Sequence, residues 1–405
     1  MIPYYNPHLG LFDIIKSIFI KNSENKTIAY FSKYTSKKYV LITSSCRSAL
    51  YLSYLALEKN GFVITSPLTC ESAIDPIIWS ENKPLFSDID MDTLNMSIEY
   101  LKKLIPSNPI AIQLINHGGF ASDENHISLI AKQFKVPLII DCAQSFASTT
   151  NQRNSGFFAD IACYSLIKNA YGIGGGILAT DSQAIYEKAK DIQHKFNPFS
   201  KKVLLYRLIY SLLESKQNNF LLKILFRLLL YFKLNKINQN DFSDTEQKPE
   251  KFLRRPSKLF TKLFIARNEK MEILQEQRKK RGQNLMTRLI LSGIAENFVR
   301  TNLKELSFTK LFVFNKKFDS YNTIDFLRQN SIDAKHLEQR DDARIQKRFD
   351  QGIYLQYNSN ILNCHNYLKI HDSILSIPLT ENMDDKEMDK IVEKLKIYLY
   401  ENNMV

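Results

Sequence analysis

Residues Cys163–Asp181 read CYSLIKNAYGIGGGILATD. Two apolar, strand-like runs, DIACY at 160–164 and GILAT at 176–180, flank a single lysine, Lys168, and a stretch in which Gly172 and Gly174–Gly176 fill four of five positions. A lysine just past a buried strand lies where ligands bind in open α/β sheets, beyond the carboxyl ends of the strands. Glycines next to it admit backbone conformations closed to other residues and let main chain approach a neighbour closely, and the expected neighbour is a cofactor. The run GIGGGI is not the dinucleotide fingerprint GxGxxG. That fingerprint needs glycine where Ile177 stands and opens a helix, whereas this run precedes a strand.

Working outward, further short apolar runs precede this stretch: YVLIT at 39–43, FVIT at 62–65, PLFSDI at 84–89, IAIQLI at 110–115 and PLIID at 137–141. Amphipathic segments such as SALYLSYLALEKN and ISLIAKQFK separate them. Nearly continuous apolar strands alternating with helices predict an α/β fold: a mostly parallel seven-stranded sheet sandwiched by helices. The character changes near Lys201. VLLYRLIYSLL, with Arg207 and Ser211 as its polar stripe, and FLLKILFRLLLYFKL, with Lys223 and Arg227, are helical runs followed by a polar linker. A long helix-like stretch, a strand KLFVF, a helix IDFLRQNS, a strand ILSIP and a charged helix capped near Asp384 then form a smaller C-terminal α+β domain. The expected division is a large domain at 1–200, an apolar basic helical insert and linker at 201–251, and a small domain at 252–405.

Composition narrows the function. With 405 residues and 44% hydrophobic content the chain can build two cores. Five cysteines without CxxC pairs suggest neither a zinc site nor disulfides, so no metal is expected and a reducing cytoplasm fits. The N-terminal run LFDIIKSIFI, interrupted by Asp13 and Lys16, does not read as a signal peptide, and no stretch is apolar enough to span a bilayer. The formal charge of +13 comes with no nucleic-acid-binding motif, so no nucleic acid is expected. EKMEILQEQRKKR reads as a solvated helix face.

Several polar residues fall just past strand ends. Ser44, Ser45, Arg47 and Ser48 open a helix, whose unpaired N–H groups favour a phosphate. Asp141 ends the fifth strand, Gln144 follows it, and Ser165 and Lys168 follow the sixth. An acid, a lysine and an anion-binding helix end are what pyridoxal 5′-phosphate needs: an amine to take its aldehyde, a carboxylate to keep its pyridine nitrogen protonated, and donors for its phosphate. For His117, in INHGGF beside Asn116, a substrate contact and a structural histidine are both open. His365 beside Cys364 reads as loop or core.

In their order, SSCRSALYLSYLAL, VITSPLTCESAIDPIIWSENKPLFSDIDMDTLNM, PLIIDCAQSFAS, the glycine-rich stretch and ILSIPLTENMDDKEMDKIVEKL resemble the DegT/DnrJ/StrS family of nucleotide-sugar aminotransferases. The segment 201–251 is an unmatched insert. The resemblance implies the aspartate aminotransferase type of fold, fold type I among pyridoxal phosphate (PLP) enzymes, and a homodimer with its sites at the subunit interface. It implies Lys168 as the lysine that holds the cofactor, Asp141 as partner of the ring nitrogen and Gln144 near the ring hydroxyl. Ser165 with the Arg47–Ser48 backbone matches the phosphate site. Cys70 stands over the ring, where most members place an aromatic side chain; Arg47 replaces a small hydroxyl residue and Gly174 a common acid. Lysine at 168, where the family's sugar dehydratases have histidine, implies transamination. The expected reaction moves an amino group from an amino acid, glutamate above all, to a nucleotide-linked keto sugar for a surface glycan. The competing expectation, motivated by Cys70, Arg47 and the basic insert, is a binding or scaffold protein that keeps the fold without turnover. For the insert two readings are open: helices buried against the protein or across a dimer interface, or a basic hairpin, 203–234, on the inner face of an anionic membrane.

Overall fold

The computed structural model describes residues 2, 9–120, 122–214, 252–295, 303–336 and 360–401. After helices α1 (Leu11–Phe19) and α2 (Ser23–Thr35), strands and helices alternate: β1 (Tyr39–Thr43), α3 (Cys46–Ala56), β2 (Phe62–Thr65), α4 (Glu71–Trp79), β3 (Lys83–Phe86), α5 (Ile98–Leu104), β4 (Ala111–Ile115), α6 (Glu124–Gln133) and β5 (Leu138–Asp141). A two-residue hairpin, β6 (Thr149–Thr150) and β7 (Arg153–Asn154), leads to β8 (Ile161–Ser165), β9 (Gly176–Thr180) and α7 (Gln183–His194).

The seven long strands form one sheet in the order β1-β9-β8-β5-β4-β2-β3. Every pairing is parallel except those of β9, which runs against β1 and β8. Strands β4, β5, β8 and β9 are buried along their whole length, as expected of a sheet covered on both faces. Their side chains alternate between two cores. Leu41, Val63, Cys163 and Leu178 join the cluster under α3, while Val40, Ile42, Ile64, Tyr164 and Ile177 join the one that includes Phe31 of α2 and Phe264.

The chain leaves this domain through β10 (Asn197–Pro198) and helix α8 (Lys201–Glu214), and comes back through β11 (Arg254–Arg255), which pairs with β10. α8 lies against its own chain: Leu204 and Leu208 pack on a small cluster of Leu9, Ile173, Phe260 and Leu263. The second apolar run of the insert, and so most of the segment 203–234, lies outside the described residues. A 34-residue helix, Lys258–Leu291, capped by Ser257, then packs on α1 and α2. It carries the stretch expected to be a solvated face, EKMEILQEQRKKR at 269–281, and that expectation is corrected: Met271, Leu274, Gln275 and Arg278 are buried. Strands β12 (Leu311–Phe314), β13 (Lys335–His336) and β14 (Ile374–Ile377) form a second, antiparallel sheet, order β12-β14-β13, with helices Ser320–Gln329 and Asp385–Glu401. Asp384 Oδ1 accepts from Glu387 N at 2.8 Å, the cap expected there. Among the described residues no helix is long and apolar enough to cross a membrane, and none of their His, Cys, Asp and Glu side chains cluster as metal ligands.

Candidate active site

The parallel strands all point their carboxyl ends to one edge, and β9, being antiparallel, begins there. The ends of β1, β5 and β8 therefore bring Ser44–Arg47, Asp141–Gln144 and Ser165–Lys168 to a single cavity of about 300 Å³. That is the lower end of the usual ligand-pocket range of about 300–1,000 Å³. Cys70, the residue before α4, joins them from the loop after β2. A more open depression of about 540 Å³ among Lys37, Pro137, Asp160 and Asp181 gathers none of these groups.

Asp141 closes β5 and is almost fully buried. Its Oδ1 accepts from Ala143 N at 2.9 Å and from Cys46 Sγ at 3.5 Å. Burial pushes its carboxyl above the usual carboxylate range, and the charge of Lys168 and the two hydrogen bonds pull it partly back. Burial likewise raises the Cys46 thiol, helped by the Asp141 charge, so Cys46 donates as a neutral thiol. Lys168 is half-buried and lines the same cavity; it acts on Asp141 through space and forms no ion pair with it among the described residues. An amine and a buried acid thus share one space without closing on each other.

The loop from Lys168 is fixed from behind. Asn169 Nδ2 donates to Phe146 O at 2.7 Å, Gln275 Nε2 donates to Asn169 O at 2.8 Å, and Arg278 Nη1 donates to Asn169 Oδ1 at 3.0 Å. Tyr171, in the left-handed region at φ 51°, is held by Arg267, which donates to its carbonyl, and gives its own hydroxyl proton to Glu381 at 2.6 Å. Such over-determination is what keeps an unfavourable backbone conformation populated.

The glycines make room for protein, not for a ligand, which corrects the sequence expectation. A Cβ at Gly176 would fall on the Ser45–Cys46 backbone, one at Gly174 on the Phe260 ring, and one at Gly172 on the Leu166 carbonyl. None of the four lines the cavity. Their effect on the site is indirect: they let β9 reach the start of α3 and the long helix press on the loop.

At the anion-binding end, Ser45 caps α3 by accepting from Ser48 N at 3.1 Å. Ser48 is buried outside the cavity lining, its N–H thus occupied, so the first-turn donors left by position are the N–H groups of Cys46 and Arg47. Ser165 Oγ lines the cavity and accepts from Ile167 N at 3.3 Å. The Arg47 side chain turns to the wall, where it bonds Ser72, lies 3.9 Å from Asp75 and stacks over Phe252 at 4.2 Å and Trp79 at 5.6 Å. Gln144 lines the cavity with its Oε1 accepting from Gly118 N at 2.8 Å. His117 lies outside the lining, stacked on Phe312 at 4.6 Å, with both ring nitrogens buried and unpartnered; burial, then Lys310 and Lys168, keep it neutral. Asn116 is structural, donating to Glu124 at 2.6 Å and Ser155 at 2.8 Å.

Among the lining residues that escape sequence reasoning are Phe199, Arg207 and Phe252, the first and last flanking the insert and Arg207 within it. Arg207 Nη1 donates to Ile173 O at 3.3 Å and its guanidinium lies 5.3 Å from the Phe199 ring centre. Arg207 forms the polar stripe of its helical run, a hint that it faces something other than solvent.

Residues 19–202 match the family model described as the DegT/DnrJ/EryC1/StrS aminotransferase family. The chain is 30% identical over 167 residues to the spore coat polysaccharide biosynthesis protein SpsC of Bacillus subtilis, covering 40% of this chain and 42% of that protein. It is 29% identical over 177 residues to the GDP-perosamine synthase of Escherichia coli O157:H7, covering 43% and 48%. In these matches the chain spans about half the length of its curated relatives. The fold is that of the solved GDP-4-keto-6-deoxy-D-mannose-3-dehydratase of Escherichia coli with bound hydrated PLP, with a TM-score of 0.74 at 17% identity over 98% of this chain and 99% of that one.

Proposed function

Because residues 19–202 match the model of the DegT/DnrJ/EryC1/StrS aminotransferase family, we propose that this protein is a pyridoxal-phosphate-dependent aminotransferase. In this reading it moves an amino group from an amino acid, glutamate in our assignment, to a keto sugar carried on a nucleotide, and works as a homodimer. The observation that carries the reading is the cavity shared by Lys168 and Asp141, with an anion-binding helix start between the same strand ends. The donor set fits the cofactor: an amine for an aldehyde, a buried acid for a pyridine nitrogen, and N–H and hydroxyl donors for a phosphate. The curated relatives named for a spore coat polysaccharide and for GDP-perosamine support a nucleotide-sugar acceptor and a glycan product.

When bound, pyridoxal phosphate supplies an electron sink for carbon–hydrogen bond cleavage. Lys168 Nζ would be the amine that holds the aldehyde, and as a free amine it would be the base that moves a proton. Asp141, its carboxyl oriented by Ala143 N–H, holds the proton on the ring nitrogen; burial strengthens that charge pairing. The first turn of α3 and Ser165 would hold the phosphate, and Cys70 and Gln144, which line the same cavity, would be available to the rest of the group. The loop network behind Lys168 fixes where the amine can reach, which a covalent anchor requires.

A second reading, a cofactor-binding protein without turnover, rests on Arg47, whose guanidinium is tied to the wall at the phosphate end. Adding glutamate to the cofactor-loaded protein separates the two. The aminotransferase reading expects the absorbance of the bound aldehyde to vanish as 2-oxoglutarate appears, and a nucleotide-linked keto sugar to restore it. An unchanged spectrum rejects amino transfer and leaves the second reading.

A further inference from the structure

Both hydrogen bonds that the Asp141 side chain accepts end on one oxygen, Oδ1: from Ala143 N at 2.9 Å and from Cys46 Sγ at 3.5 Å. Oδ2 has no partner among the described residues and is not one of the unpartnered atoms sealed from solvent, so it opens onto the cavity that Asp141 lines. The two donors come from different elements. Ala143 lies two residues on in the same loop, whereas Cys46 is the first residue of α3 and lines the cavity at the anion-binding end.

The start of α3 has little freedom to move. Gly175 N donates to Ser44 O at 3.0 Å, and β9 passes so close at Gly176 that a Cβ there would fall on the Ser45–Cys46 backbone. A thiol carried on a backbone held this way resists rotation of the carboxylate it bonds, as an outer-shell donor does for a ligating group. The kind of donor matters as well. A lysine or arginine in this place would neutralise Asp141 and compete with a ring nitrogen for its charge. A buried thiol, kept protonated by loss of solvent and by the Asp141 charge, orients Oδ1 as a weak donor and leaves the charge in place.

We propose that Cys46 is a positioning residue whose thiol fixes the rotation of the Asp141 carboxylate and so presents Oδ2 to the ring nitrogen of pyridoxal phosphate; the ligand it serves rests on the cofactor reading above. Through the pinned start of α3, one residue then couples the anion-binding end of the site to its acid.

Two ligands separate this role from simple packing: pyridoxal 5′-phosphate and its 1-deaza analogue, in which C–H replaces the ring nitrogen. Equilibrium dialysis of the wild type, Cys46→Ala and Cys46→Ser reads how tightly each is held. Cys46→Ala should hold pyridoxal phosphate about tenfold more weakly, the scale of one lost bond to a charged group, and the analogue within about twofold of the wild type. Cys46→Ser keeps a donor and should stay within about threefold for both ligands. An equal loss of the two ligands in Cys46→Ala, or no loss of either, overturns the role. So does a serine variant as weak as the alanine one. The infrared S–H stretch of the cofactor-free protein needs no ligand. The band that both Cys46 variants lack should move to higher frequency in Asp141→Ala, where the thiol loses its acceptor, and a band that stays in place overturns the proposal. A wild type that retains neither ligand defeats the cofactor reading, and the infrared band alone then decides whether Cys46 holds Asp141.

Discussion

Arg278 and Glu381 form an ion pair that is almost wholly buried, and both side chains also hold the loop that begins at Lys168. One comes from the long helix and the other from the segment after β14, so the loop is tied to both. Taking two charges out of water is costly, and the pair is supported by further bonds, Arg278 donating to Asn169 and Glu381 accepting from Tyr171.

Removing one partner leaves the other buried and unpaired. Arg278→Met is expected to cost about 3–5 kcal/mol, and the double variant Arg278→Met with Glu381→Leu to recover a large part of it. Urea unfolding of the three proteins measures this. A single variant as stable as the wild type would contradict it.

Glu124 gives a pH dependence. Buried beside Asn116, Ser155 and Gly156, its carboxyl is pushed up to about 7 by loss of solvent, against the pull of those donors. The folded protein therefore keeps a proton that the unfolded chain releases above the ordinary value of 4.5. Stability from this group is fully present below about pH 4.5 and is lost as the pH rises through about 7. Between about pH 5 and pH 8 the wild type should lose on the order of 3 kcal/mol relative to Glu124→Gln, which cannot titrate. Parallel stability curves for the two proteins would be inconsistent with this.

Gly176 and Gly293 separate close approach from backbone conformation. A Cβ at 176 meets the Ser45–Cys46 backbone, whereas Gly293, at φ 67°, has open space around it. Gly176→Ala is expected to cost about 1–3 kcal/mol and to weaken cofactor retention by shifting the start of α3. Gly293→Ala should cost about 1 kcal/mol and leave retention unchanged. Thermal unfolding and cofactor titration check both.

Much of this architecture is legible because buried strands are written as short apolar runs: the seven expected strands are the seven of the large sheet. Direction is not written there. Nothing in GILAT says that β9 runs against its neighbours, because alternation is the same read either way. Boundaries fail where polar residues are buried by side-chain bonds: Ser87 and Asp88 looked like strand, yet β3 stops at Phe86 and Asp88 turns to bond the backbone of Asn366 and Tyr367. Arg278 of the long helix looked solvated for the same reason, since Glu381, its partner, is far away in sequence.

The cavity residues Asp141, Gln144, Ser165 and Lys168 could be found because each directly follows or ends a strand. The glycine-rich run was visible but its occupant was not: Phe260 lies beyond the insert, and only the folded chain brings it to Gly174. Phe199, Arg207 and Phe252 carry no motif, and their place in the wall depends on how α8 seats on Ile173 and Leu263.

Borohydride reduction of the cofactor-loaded protein, which locks a lysine–aldehyde linkage, followed by peptide mass spectrometry, tests the assignment of Lys168 most directly. The expected result is the cofactor's mass on the peptide that contains Lys168, absent in Lys168→Ala. The mass on another lysine, or on none, would contradict it.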